Sequence, residues 1–174
     1  VVVVWLGEDS THQHGDIYAQ KLNVEGERLW TTDLKVNADS GSLDYESDPA
    51  AASDDAGNVM IVWRDYRDSS SGTIYSQRIG VNGSRQWIND LCVSANSVPT
   101  TGTSPDIAAD GHGYFQIVWQ SSSHLYAQRI DSDGIPQWST DRCLVWDGED
   151  LAVVMDAAGD AVIVWRESDL NGDG

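Results

Sequence analysis

Val59-Met60-Ile61-Val62-Trp63, Ile74-Tyr75-Ser76-Gln77-Arg78-Ile79 and then Gly83 followed four residues later by Trp87 form the stretch that decides the fold. Its apolar runs are short and rich in β-branched and aromatic residues, and Asp, Asn and Gly separate them, which is the pattern of strands joined by tight turns. Around it the expected strands are residues 50–53, 59–64, 73–79 and 91–95. Along the third of these, side chains alternate, so Tyr75, Gln77 and Ile79 face one way and Ile74, Ser76 and Arg78 face the other. Both faces carry apolar groups. That predicts a sheet covered on both sides, unlike an antiparallel sheet with one wet face.

The same wording recurs along the chain. VVVVW ends at Trp5, VMIVW at Trp63, FQIVW at Trp119 and AVIVW at Trp165. IYAQKL begins at Ile17, IYSQRI at Ile74 and LYAQRI at Leu125, and each leads to a glycine and, four residues on, to Trp30, Trp87 or Trp138. Upstream of each later IVW-type strand stand Asp54 and Gly57, Asp110 and Gly113, or Asp156 and Gly159. No stretch sustains helical periodicity. A repeat at this period, built of four short strands, predicts an all-β architecture of tandem four-stranded antiparallel blades, β-propeller-like and incomplete in this chain. The units are expected at residues 1–48 (partial), 49–104, 105–150 and 151–174 (partial), all within one domain. Two whole units are too few to close a propeller, so the open ends are expected to meet further blades or other chains.

This wording resembles a tandem β-repeat widespread in secreted bacterial proteins, in which an IYAQRL-like strand, a DxxG-like turn, a following Trp and an IVxW strand recur. The resemblance covers essentially the whole chain. It implies a propeller-like fold and an extracellular or cell-surface location, but little about activity. Other propeller types fit less well: the Asp-box spacing, the Trp-Asp pair and the kelch double glycine are all missing.

Composition narrows the partners. The chain has 174 residues, with 28 acidic against 10 basic and a formal net charge of −18. Nucleic acid and anionic membrane surfaces are bound largely through Lys and Arg, so both are excluded as expectations. Protein partners, neighbouring copies, glycans and cations remain.

In an up-and-down order of strands, the one-to-two and three-to-four turns share one face, and these turns are constant in length. The other loops vary. Between the Trp and the next strand lie 11 residues after Trp5, 10 after Trp63 and 5 after Trp119. Variable loops on a regular scaffold are where binding usually resides. More than half of the acidic residues fall in them, Asp16, Glu46, Asp65, Asp68, Glu149 and Asp150 included, with Arg64, Arg67 and Arg166 as the opposing cations, which predicts an electronegative face.

Within that face Asp169-Leu170-Asn171-Gly172-Asp173-Gly174 matches the opening of a calcium loop, D-x-[DN]-x-[DN]-G. Alternate carboxylate and amide oxygens around a glycine turn suit hard Ca²⁺, so Asp169, Asn171 and Asp173 are the candidate ligands. His12 and His14, with Asp9 and Asp16, form a second, H-x-H type candidate for a transition metal. Trp146 lies outside the repeat pattern and is the candidate ligand-contact aromatic. The strand-ending Trp residues belong to the core by their identical placement, and Gln20, Gln77 and Gln128 are expected to satisfy buried backbone groups. Cys92 and Cys143 occupy the same place in successive units and are read as two small buried hydrophobes. No nucleophile motif and no phosphate-cradling loop is present. The expectation is a non-catalytic extracellular scaffold, adhesion or protein-interaction module, Ca²⁺-stabilised, presenting the loop face. A glycan-binding propeller and a polysaccharide-active enzyme are the alternatives.

Overall fold

The computed structural model describes residues 1–8, 15–38, 45–96, 101–146 and 148–167. It is all-β. The strands are β1 (Val2–Glu8), β2 (Gly15–Lys21), β3 (Leu34–Lys35), β4 (Glu46–Ser53), β5 (Val59–Asp65), β6 (Thr73–Ile79), β7 (Leu91–Cys92), β8 (Thr103–Ala109), β9 (Tyr114–Ser121), β10 (His124–Asp131), β11 (Arg142–Trp146), β12 (Gly148–Met155) and β13 (Ala161–Glu167). They form four antiparallel sheets in chain order: β1-β2-β3, β4-β5-β6-β7, β8-β9-β10-β11 and β12-β13.

The third strand of the second sheet spans Thr73–Ile79, as its alternation predicts. The fourth is shorter than expected: after Leu91–Cys92 the chain enters a 3-10 turn, Val93–Asn96. The cause is a side chain. Ser94 Oγ accepts the Ile74 amide at 3.1 Å, and Asn37 Oδ1 accepts the Ile17 amide at 3.0 Å at the matching place in the first sheet. A short polar side chain thus supplies the acceptor that a continuing strand would otherwise provide.

The first strand of the second sheet starts earlier than expected: the expectation is residues 50–53, and β4 begins at Glu46. A β-bulge carries the strand past Pro49. Asp48, Ser104 and Asp150 hold the same position in three units, and their φ values are +53°, +47° and +49°. At each of them one extra residue is inserted opposite the second strand.

The sheets pack face to face, and the alternation read in the sequence decides which neighbour each side chain meets. Val59, Ile61, Trp63, Tyr75 and Ile79 join Ile17, Ala19, Trp30 and Val36 of the first sheet in one core. Met60, Val62 and Ile74, from the other side of the same strands, join Ile107, Phe115, Ile117 and Trp119 of the third. Ala108, Val118 and Ala127 then meet Val153, with Met155 and Ile163 packed beside them. The closest approaches between sheets run along the first strands, β4 with β8 and β8 with β12, and between each second strand and the next first strand.

Away from the first strands, tryptophans tie the units together. Trp30 Nε1 donates to the Val81 carbonyl at 3.2 Å, and its ring lies over Gly83, in the three-to-four turn of the next unit. Gly83 has φ +78°, and a Cβ there would stand 2.9 Å from that ring. Trp87 lies against Gly134 in the same manner.

The recurrent glutamines hold these tryptophans in place. Gln77 is fully buried; it donates to the Trp87 carbonyl and to Asp90 Oδ1, and it accepts the amides of Arg78 and Trp87. Gln128 repeats all four bonds with Trp138, Asp141 and Arg129. Gln20 does the same with Trp30, Asp33 and Lys21. The carboxylate three residues after each of these tryptophans is part of the repeat. Its role was not read from the sequence.

Two expectations about cores need correction. Trp63 and Trp119 are fully buried, but Trp165, on the last sheet, is 45% exposed. Both cysteines are free thiols; Cys92 is half-buried and Cys143 is exposed, so only Cys92 contributes to a core.

Candidate functional site

The variable-loop face is built from the ends of β1, β5 and β9, the starts of β2, β6 and β10, and the bulged starts of the first strands. Asp169, Asn171 and Asp173 lie outside the described residues, as do Asp9, His12 and His14. Trp146 ends β11 and pairs with His124 through its backbone; its side chain is outside the description. Among the described residues, no group of three or more His, Cys, Asp or Glu side chains is arranged to hold a metal ion.

The described carboxylates on this face are largely held by internal partners. Asp65 is fully buried, where an unpaired charge is not tolerated. It accepts from Trp63 Nε1 at 2.9 Å, from Arg67 Nε at 2.9 Å and from Arg67 Nη2 at 2.6 Å. Arg67 Nη2 also reaches Asp90 at 3.0 Å, and Arg85 closes on the other oxygen of Asp90 at 2.8 Å. The Ala38 amide, from the first unit, donates to Asp90 at 2.8 Å, which joins two units through one carboxylate. Burial draws the Arg67 guanidinium down, but the hydrogen bond and charge of Asp65, and then of Asp90, outweigh it and hold Arg67 above its ordinary range. The Arg67 guanidinium also lies 4.4 Å from the Tyr75 ring centroid. Tyr75 donates its hydroxyl to Asp68. Burial, and then the Asp68 hydrogen bond, push its phenol well up.

A second cluster joins the first two sheets. Asn37 Nδ2 donates to Asp16 Oδ1 at 3.1 Å and to the buried Glu46 at 3.0 Å, while Lys35 Nζ holds Asp16 Oδ2 at 2.8 Å. On the last sheet Arg166 pairs with Glu149 at 2.5 Å and with Asp150 at 3.2 Å. Lys35 was missing from the cations read in the sequence, because it approaches this face only once β3 pairs with β2. Among the described residues of this face, much of the acidic charge is therefore matched by Lys35, Arg67 and Arg166.

Among the described residues, this face carries a tyrosine pair. Tyr45 and Tyr66 stand 5.3 Å apart at 55°, with Arg64 4.6 Å from the Tyr66 ring centroid and Tyr45 41% exposed. Neither tyrosine belongs to the repeat, a signal that could have marked them. At the opposite end, beside the constant turns, a groove of about 240 Å³ separates the third and last sheets, with Trp138, Leu144, Met155 and Ile163 among its walls. Its one cation, Arg129, is committed to Asp110 at 2.6 Å.

Chemically, the described part of the loop face offers paired charges and aromatic surface. The chain matches no family model and no curated protein.

Proposed function

We propose that the chain forms blades of a β-propeller-like, non-catalytic scaffold outside the cell, whose loop face docks a protein partner. The supporting observation is the packing order. Successive sheets stack face to face with first strands against first strands, and tryptophans clasp the units on the far side, which suits blades fanning around an axis. Asp65, Asp90, Asp16 and Glu46 pre-order the loop face through their internal partners, and a pre-ordered surface loses less entropy on binding. Asp169, Asn171 and Asp173 are the residues that would hold Ca²⁺.

The calcium component is tested by melting the protein in excess Ca²⁺ and in EDTA, beside Asp169→Asn/Asp173→Asn. A ligand at about 100 times its Kd adds about 2.7 kcal/mol, which is about 5–10 °C for a chain of this size. The double variant should melt alike in both. An identical melting temperature for the unaltered protein in Ca²⁺ and EDTA sinks the calcium assignment.

A glycan-binding reading draws support from the exposed Tyr45 beside Tyr66 and Arg64. Titration with xylan and chitin oligosaccharides separates the two readings. The scaffold reading expects no saturable change in intrinsic fluorescence; a saturable change abolished by Tyr66→Ala replaces it with the glycan binder.

A further inference from the structure

The turn between the third and fourth strands is built alike in the first and third units and differently in the second. In the first, Asn23 Oδ1 accepts the amides of Glu25 and Glu27 at 3.1 and 2.8 Å. In the third, Asp131 Oδ1 accepts those of Asp133 and Ile135 at 3.0 and 2.9 Å. The second unit has Gly80 at that place, so no side chain caps the turn from there. The amide that matches Glu27 and Ile135 is that of Ser84, and it donates instead to Asn82 Oδ1 at 3.2 Å. Gln86 Nε2 donates to Ser84 Oγ at 2.9 Å, and the Ser84 hydroxyl donates on to Asn82 Oδ1 at 2.7 Å. Gly80 leaves room for this chain of bonds, since a Cβ there would stand 2.7 Å from Gln86 Nε2 and 3.1 Å from Asn82 Oδ1. The exposed Asn82 thus has two donors on its side-chain carbonyl and a glycine after it.

We propose that Asn82 is a site of spontaneous deamidation and that its isoaspartyl product loosens the clasp between the first and second units. The Gly83 nitrogen gives its proton to hydroxide and attacks Asn82 Cγ, and the missing side chain of Gly83 keeps that approach open. Negative charge then develops on Oδ1, where the Ser84 amide and hydroxyl already point. Donors aimed at developing charge lower such a barrier. As the oxyanion collapses, the Cγ–Nδ2 bond breaks and ammonia leaves with a proton from water, which closes a succinimide and regenerates hydroxide. Water opens the ring at one carbonyl or the other. One opening gives an aspartyl residue, which the third unit already carries at the matching Asp133. The other routes the main chain through the former side chain and adds one backbone atom between Val81 and Gly83. Trp30 sits on those two residues: its Nε1 donates to the Val81 carbonyl at 3.2 Å and its ring covers Gly83. A lengthened turn does not present both at the same spacing. The Gly83 amide now meets the Gly80 carbonyl at 2.9 Å, so conversion proceeds through local openings of this turn.

The test holds the 174-residue chain in mildly alkaline buffer and follows each asparagine by peptide mass spectrometry, with isoaspartate counted by enzymatic methylation. Position 82 should convert ahead of Asn23 and Asn58, each of which is followed by valine. Ser84→Ala, an exposed change whose folding circular dichroism verifies, should slow conversion of the folded chain by about three- to tenfold, the free energy of one hydrogen bond. In urea, where the turn is lost, the two chains should convert at the same rate. The urea midpoint of the unaltered protein should fall as isoaspartate accumulates. Asn82→Asp and Asn82→Gln should keep theirs through the same incubation, which also separates out Asn171-Gly172, the other Asn-Gly pair of the sequence. Asn82 still intact when Asn23 has converted overturns the proposal. So does a Ser84→Ala effect under about twofold, one that persists in urea, or a midpoint unmoved by isoaspartate.

Discussion

Replacing Gln77 by methionine is the sharpest test of what holds a unit together. The two side chains are close in size, so the cavity contribution is small and the loss is one of hydrogen bonds. Gln77 has no exposure, and its amide makes four bonds, at 3.2 Å to the Trp87 carbonyl, 3.1 Å to Asp90, 3.0 Å from the Arg78 amide and 3.1 Å from the Trp87 amide. Asp90 keeps Arg67, Arg85 and the Ala38 amide, so its share of the loss is small. The two amides and the carbonyl lose this partner at a partly buried site, and at about 1 kcal/mol each the total is about 3 kcal/mol. That corresponds to a melting temperature lower by about 6–12 °C. Urea unfolding followed by tryptophan fluorescence should show the midpoint falling with an unchanged slope. A loss under about 1 kcal/mol would refute the claim that this amide organises the strand and the Trp87 turn. Gln77→Glu keeps both acceptor bonds but sets a carboxylate against Asp90, so its defect should shrink as acid protonates it and restores a donor.

Two further outcomes follow from local geometry. Gly26 and Gly83 occupy the same turn in successive units, at φ +83° and +78°, but a Cβ at Gly26 meets nothing while one at Gly83 meets the Trp30 ring. Gly26→Ala should therefore cost about 1 kcal/mol for backbone strain alone. Gly83→Ala should cost about 1–3 kcal/mol more through the displaced ring, and equal losses by denaturant titration would mean that Trp30 does not clasp the second unit. Burial, followed by the charge of Asp68, raises the Cys92 thiol from 9.0 to about 11. Because the folded value is the higher one, the stabilisation from keeping this thiol neutral is complete below pH 9 and is lost as pH rises through about 11. Iodoacetamide should modify the exposed Cys143 well before Cys92, as read by peptide mass spectrometry, and equal rates would contradict the burial of Cys92.

The strands were legible in the sequence because their signals are local and repeated. Thr73–Ile79 follows from alternation alone. The two-sided burial of the second sheet follows from apolar groups on both faces of that strand. Boundaries failed where a side chain or an unusual backbone replaces the regular ladder. Ser94 and Asn37 cut their fourth strands short by supplying an acceptor themselves, and Asp48 lets β4 run on through Pro49. At the loop face, acidic residues could be counted but their partners could not. Arg67 meets Asp90 across 23 positions, and the Ala38 amide meets it across 52. Trp30 was placed correctly in its repeat. That its indole binds a carbonyl 51 positions away required the packed fold.

The bulges at Asp48, Ser104 and Asp150 also bear on how such a chain tolerates change. In a regular strand, gaining or losing one residue turns every later side chain to the opposite face. Each of these strands already takes up one surplus residue between its loop and its core-facing half. Insertions and deletions upstream are thus decoupled from the phase of residues such as Ala50–Ser53. The loops entering the first strands can change length over evolutionary time, or be grafted by an engineer, without scrambling which residues meet the neighbouring sheet.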